Sequence, residues 1–204
     1  KDKTVHLLGL CSNGGVHSHL DHIVEMAKLL DDSNINSVLH IFSDGRDSSP
    51  KQIGNIVKAA ARDNMSAIAL TDTGNMMASF HFVSAILKHN KQAFAKNEIS
   101  EENGEAAEET ILKPILGCEF NVCEDHLDKK RKDNGYQIVL LAKTKKGYHN
   151  LAKMSSIAFI NGFYYVPRID RKVIEQYKED IIVLTGNTYG EVPSKILNVG
   201  EKQA

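Results

Sequence analysis

Two groups of residues in this 204-residue chain have types and spacings suited to chemistry. The first is Gly14-Gly15-Val16-His17-Ser18-His19, followed further along by Asp44-Gly45-Arg46-Asp47. A glycine pair lets backbone approach an anion closely, and imidazoles beside it can hydrogen-bond phosphate or carboxylate oxygens. Arg46 supplies a planar fork for bidentate anion contacts, and Asp44 or Asp47 can accept from sugar-like hydroxyls. His17, Arg46 and Asp47 are therefore candidate anion-binding residues. The competing reading is a glycine-rich turn with solvated histidines and a helix-capping Asp.

The second group is Asp72 at the end of an apolar run, Glu119 inside another, and His126 and His149 elsewhere. Carboxylates at strand ends in α/β proteins commonly serve metal or acid–base sites, which makes Asp72 and Glu119 candidate metal ligands. The competing reading for Asp72 is a cap on the helix that follows Gly74, and for His149 an exposed helix position. Cys11, Cys118 and Cys123 form no CxxC pair and read as small buried hydrophobes in a reducing compartment.

The elements that must carry these residues follow from periodicity. Val5–Cys11 and Val38–Phe42 are apolar runs ending in turn-prone residues, and Leu20, Ile23, Val24, Ala27 and Leu30 recur between them at helical spacing. Ser49-Pro50-Lys51-Gln52 has the composition of a helix start, and Ile53, Ile56, Val57 and Ala60 give that helix an apolar stripe. Ala67–Leu70 reads as a third strand and Met76–Leu87 as a third helix. Such alternation predicts a parallel sheet with right-handed crossovers. Residues 89–110, rich in Lys, Glu, Asn and Ala, read as an exposed insertion or frayed helix. Beyond them, Ile115–Val122, Ile138–Ala142 and Ile181–Leu184 are expected strands. Helices are expected around Leu151–Ala158, Val173–Tyr177 and Val192–Leu197. No final strand closes the alternation, so the chain is expected to be truncated relative to a full barrel.

Composition narrows the partners. Hydrophobic residues make up 42% and charged residues 25%, ordinary for a globular protein. A net charge of −1 argues against binding nucleic acid through bulk electrostatics. No run is long and apolar enough for a membrane span, and no signal-peptide core follows Lys1-Asp2-Lys3-Thr4. The expected location is cytoplasmic.

Two family resemblances rest on these motifs. The stretch from Val5 to Asp47, with GGVHSH and DGRD, resembles the cofactor-independent phosphoglycerate mutases. That resemblance implies phosphoglycerate binding by His17, Arg46 and Asp47. The family's phosphate-accepting Ser and its manganese ligands have no match here, so residual anion binding is the expected limit. Residues 49–204 contain MSAIALTDTGNMM, KPILGCEFNVCEDHLDKK, GFYYVPRIDRK and YGEVPSKILNVGE. They resemble the PHP (polymerase and histidinol phosphatase) domain of bacterial DNA polymerase III alpha subunits. That resemblance implies a distorted βα barrel which, where active, holds a metal cluster and cleaves phosphoesters. It also implies partnership with other polymerase domains, a proofreading subunit and DNA.

The PHP resemblance places metal ligands at Asp72 and Glu119. Its usual His after the Asp is Thr73, its usual His before the VLLAK strand is Gln137, and its usual Cys after Thr-Gly is Asn187. His6-Leu7-Leu8 stands where the opening His-x-His belongs. The expectation is a non-catalytic, structural domain with no tightly bound cofactor and at most weak binding of Mn, Zn or Mg. The alternatives are a phosphoglycerate-binding mutase fragment and a weak metal-dependent phosphoesterase using Asp72 and Glu119. The expected fold is α/β: parallel βα units forming an incomplete PHP-type barrel with an extra N-terminal βαβ unit. The expected organisation is a chimera of a mutase-like segment, 1–47, and a PHP-like domain, 48–204, merged into one domain. Val38–Phe42 would then take the place of the missing first strand.

Overall fold

A computed structural model of the chain describes residues 4–11, 15, 18–43, 53–103 and 109–201. The chain divides into two compact units. Unit 1 comprises Lys1–Leu70 and Met77–Ile115, and unit 2 comprises Thr71–Met76 and Leu116–Ala204.

Unit 1 alternates strand and helix: β1 (Val5–Cys11), α1 (Leu20–Asp32), β2 (Ser37–Ser43), α2 (Ile53–Arg62), β3 (Ala67–Leu70) and α3 (Ser79–Glu102), then the start of β4 (Lys113–Cys123). Strands β1 and β2 pair in parallel from Val5 opposite Ser37 to Cys11 opposite Ser43. Strand β2 pairs in parallel with β3, Leu39 lying opposite Ile68. A parallel pair must be joined by a crossover, and the helices supply it. Their apolar faces are the ones periodicity marks: Val24 and Ala27 of α1, and Ile56, Val57 and Ala60 of α2, are buried with all four residues of β3. His19 caps α1, its Nδ1 accepting from Asp21 N–H at 3.3 Å. The expected cap at Ser49–Gln52 lies outside the described residues.

Helix α3 departs from expectation. It runs on to Glu102 through the stretch read as an insertion or frayed helix. The cause is polar. Asn90 Nδ2 donates to Leu112 O at 2.8 Å while its Oδ1 accepts from Leu112 N–H at 2.9 Å. Two turns later Asn97 repeats the clamp on the backbone of Glu109, at 2.9 and 3.0 Å. His89 Nε2 lies 2.9 Å from Thr110 O. Residues seven apart share a helix face, so these amides hold segment 109–112 along α3 without an apolar stripe.

Unit 2 continues β4 and adds β5 (Tyr136–Ala142), α4 (Lys145–Ile160), β6 (Arg168–Asp170), α5 (Arg171–Tyr177), β7 (Ile181–Leu184) and α6 (Glu191–Val199). Strand β5 runs antiparallel to both β4 and β7, while β6 pairs in parallel with the end of β4. The parallel pairing expected from the N-terminal alternation does not extend to β5. Residues 124–135 between β4 and β5 contain no helix, and a loop without a crossover element returns the chain antiparallel. Cys118, Phe120, Leu140 and Ile169 form one buried cluster with Leu151, Met154 and Ala158 of α4 and Val173 of α5. Thr144 caps α4, its hydroxyl accepting from Lys146 N–H at 3.1 Å. The fold class is α/β as expected, with parallel βα units in unit 1 and a mixed sheet in unit 2.

Candidate functional site

The site is built on the face of β4 opposite its buried cluster. Side chains alternate along a strand, so Cys118 and Phe120 enter the cluster with α4, while Glu119, Asn121 and Cys123 occupy the other face. Beside β4 runs the short segment Thr71–Met76. Glu119 N–H donates to Asp72 O at 3.0 Å, and Gly74 N–H donates to Glu119 O at 2.7 Å. These bonds set Thr73 opposite Glu119 in a parallel bridge. The structure thus places Asp72 and Glu119 on adjacent backbone segments, although 47 positions separate them in sequence.

Glu119 is buried, and its Oε1 accepts from Thr73 Oγ1 at 2.9 Å. Burial pushes its carboxyl above the usual carboxylate range, and the Thr73 hydroxyl offsets part of that rise. Asp72 is partly buried. Burial pushes the neighbouring Cys118 thiol up, and the charges of Asp72 and Glu119 add to the rise. Cys123 is also raised, to about 11, first by burial. Both thiols are therefore protonated at neutral pH, which suits packing rather than nucleophilic attack or metal thiolates. The side chain of Cys11 lies outside what the structure describes.

Across the ladder, β5 sets Val139 opposite Glu119 and Gln137 opposite Asn121. Gln137 and Asn187, the two positions where the resemblance expects His and Cys, face each other. Asn187 Nδ2 donates to Gln137 Oε1 at 2.8 Å. The loop carrying Asn187 is pressed against β5: Gln137 N–H donates to Tyr189 O at 3.0 Å. Gly186 has φ +81° there, and a Cβ would come within 2.5 Å of Gln137 O, so only glycine fits. Asn121 turns its amide to Pro167 O at 3.2 Å.

Other expected site residues lie elsewhere. His17, Arg46 and Asp47 fall outside the described residues. His149 is exposed on α4, its ring edge-on to Tyr148. His126 belongs to a cluster that sequence reasoning missed: Asp125, His126 and Asp170 have potential ligand atoms within 4.8 Å of one another. His126 Nδ1 lies 2.6 Å from Asp170 Oδ2, while Asp170 Oδ1 caps α5 by accepting from Val173 N–H at 3.0 Å. Burial alone would raise the Asp170 carboxyl; the bonds from His126 and Val173 outweigh it and hold the group below its usual range. The signal available was an Asp closing a strand and opening a helix, the same logic that singled out Asp72.

The metal cluster implied by the PHP resemblance does not fit the donors found around β4. Among the described residues the Asp72–Glu119 site offers carboxylates, carboxamides and a hydroxyl, with no imidazole or thiolate. Gln137 and Asn187 are bound to each other, and Glu119 already accepts from the Thr73 hydroxyl. Such donors suit hard cations held loosely, not a compact transition-metal cluster.

Residues 38–204 match the PHP domain family over most of the chain. The chain belongs to the PHP domain family. The match includes β2, which the sequence reading had grouped with the mutase-like segment. Among curated relatives, the DNA polymerase III subunit alpha of Borreliella burgdorferi is 34% identical over 165 residues, covering 78% of this chain and 12% of that protein. The subunit of the same name from Treponema pallidum is 31% identical over 153 residues, covering 73% of this chain and 11% of the relative. The Chlamydia muridarum subunit is 30% identical over 153 residues, with the same shares. This PHP chain therefore spans only about an eighth of the length of these relatives. No helix among the described residues is long and apolar enough to cross a membrane.

Proposed function

We propose that this PHP chain serves DNA replication as a non-catalytic scaffold domain of a replicative polymerase alpha subunit. The observation that carries this reading is the amide pair Gln137–Asn187, together with Thr73 donating to Glu119, at the positions where the PHP resemblance expects metal ligands. These bonds do there mechanically what a metal would: Thr73 ties the 71–76 segment to β4, and the amide pair ties β5 to the loop at Asn187. In this role its partners are the other polymerase domains, a proofreading subunit and, through them, DNA. No cofactor is tightly bound; Mn, Zn or Mg binds weakly at Asp72 and Glu119 at most. The test is hydrolysis of bis(p-nitrophenyl) phosphate with manganese. Absence of turnover supports the scaffold reading; turnover that Asp72→Asn abolishes replaces it with the phosphoesterase reading.

One observation favours a second reading for the N-terminal segment. The parallel register sets Cys11 opposite Ser43, so β1 and β2 end side by side. His17, Arg46 and Asp47, the residues that the mutase resemblance assigns to phosphoglycerate, come after those ends in the sequence and lie outside the described residues. Ligand sites in parallel α/β sheets lie beyond the carboxyl ends of strands. Titration with 3-phosphoglycerate, followed by the resonances of His17 and Arg46, decides it: no shift removes this reading.

A further inference from the structure

Unit 2 also holds a cavity of about 690 Å³, separate in its lining from Asp72 and Glu119. Its walls are the end of β4, the loop that follows, the start of β5, and the first residues of α5 and α6. Four cations line it, Arg131, Lys132, Arg171 and Lys172, against three acids, Glu124, Asp133 and Glu191. The acids are committed locally. Asp133 accepts from Glu124 N–H at 3.1 Å and from Gly135 N–H at 2.9 Å. Glu124 pairs with Arg131. Glu191 receives Arg171 on both oxygens, at 2.8 and 2.7 Å, and Lys195 at 2.8 Å. Lys172 makes no ion pair among the described residues, and Lys132 rests 5.0 Å from the centre of the Tyr165 ring.

The loop that carries this charge is held from beneath. Arg168 is fully buried and donates to the carbonyls of Gly162, Asp133 and Asp128 at 3.0, 2.9 and 2.9 Å, with His126 O at 3.4 Å. Gly135 has φ +71°, and a Cβ there would lie 2.4 Å from Val122 O. The wall is thus fixed before any ligand arrives, which lowers the ordering cost of binding.

We propose that this cavity binds a small polyphosphate-bearing ligand of nucleotide size. The volume falls within the range of small-molecule sites, and it exceeds what a lone phosphate fills. Arginine forks match phosphate oxygens bidentately, and lysines add point charge. The pairs Arg131–Glu124 and Arg171–Glu191 are solvent-exposed, so opening them costs little. If phosphate takes Arg171 from Glu191, that carboxylate keeps Lys195 and is not stranded. Tyr136 is an exposed aromatic in the wall, and it offers a face on which a base stacks. This inference does not depend on the scaffold reading.

The experiment is calorimetric titration of the full chain with ATP and with tripolyphosphate, without divalent metal, at low ionic strength. Both ligands are expected to bind, ATP more tightly, and Tyr136→Ala is expected to bring ATP down to tripolyphosphate. Arg171→Ala with Lys172→Ala is expected to weaken both by at least about tenfold. The exposed control pair Lys145→Ala and Lys146→Ala on α4 should leave both unchanged. Failure of either ligand to bind, equal weakening by the control pair, or binding of single-stranded oligonucleotide alone would each overturn the proposal.

Discussion

Glu119 concentrates what the site can and cannot do. A carboxyl buried on a strand face, with one hydroxyl donor and no cation in bonding distance among the described residues, holds its proton above the ordinary value of 4.5. Because the folded value exceeds the unfolded one, the folded chain binds more protons between the two. The stability contributed by Glu119 is therefore full below about pH 4.5 and is lost as pH rises through its folded value. Glu119→Gln removes the titration while keeping an oxygen for Thr73. Denaturant midpoints from about pH 4 to pH 8 should then show the wild type losing ground to the variant as pH rises. A gap that stays constant across that range would mean that Glu119 titrates as it does unfolded. Asp72 and Glu119 were legible as a pair because strand ends and a strand interior can be read from apolar runs. Gln137 and Asn187 were legible as departures from a pattern, but not as partners. Fifty positions separate them, and only the antiparallel return of β5 and the loop held on it bring the amides together. The Asp170–His126 pair was hidden for the same reason, spanning 44 positions.

At the scale of elements, the informative failure is α3. Apolar periodicity ends near Leu87, and the sequence beyond it reads as solvated. The helix nonetheless continues, because Asn90 and Asn97 each give one donor and one acceptor to the backbone of 109–112. An asparagine side chain reproduces a peptide unit, so two of them act as rungs of a ladder that no hydropathy pattern records. Asn90→Ala leaves the N–H and C=O of Leu112 without these partners beside a buried side chain, and should cost roughly 1–3 kcal/mol. Asn97→Ala should cost a similar amount. The check is a shift of urea midpoint at constant slope, together with faster amide exchange at Leu112 for the first variant and Glu109 for the second. An unchanged midpoint in both would mean that α3 holds its last three turns by itself. The antiparallel pairing of β4 with β5 was not legible for a related reason. The rule that alternation means parallel applies only where a helix fills the connection, and 124–135 is organised instead by Arg168 reaching three loop carbonyls.

At the scale of the molecule, the open matter is how the N-terminal βα unit belongs to the rest. The sequence reading assigned it to a mutase-like segment, yet β2 falls inside the matched PHP residues, and β1 pairs with β2 along all seven of its residues. Strand pairing does not respect a boundary drawn from resemblance. Once β2 is fixed by β3 and by burial of Leu39, the donors and acceptors on its other edge are available to β1, and α1 covers the join with Val24 and Ala27. Within that unit, Gly9 of β1 lets Ile23 of α1 approach to where a Cβ would meet it at 2.5 Å, so the helix packs closely on its own strand. Segment-resolved amide exchange on the full chain follows directly. Val5–Cys11 should be protected to the same order as Ala67–Leu70, because the two strands flank β2 in one cooperative ladder. If β1 exchanges at unfolded rates while β3 and Ile138–Ala142 stay protected, the N-terminal unit is an appendage. The phosphoglycerate reading would then lose the adjacent strand ends on which it rests. Joint protection would make those ends a fixed platform and give the titration at His17 and Arg46 its meaning.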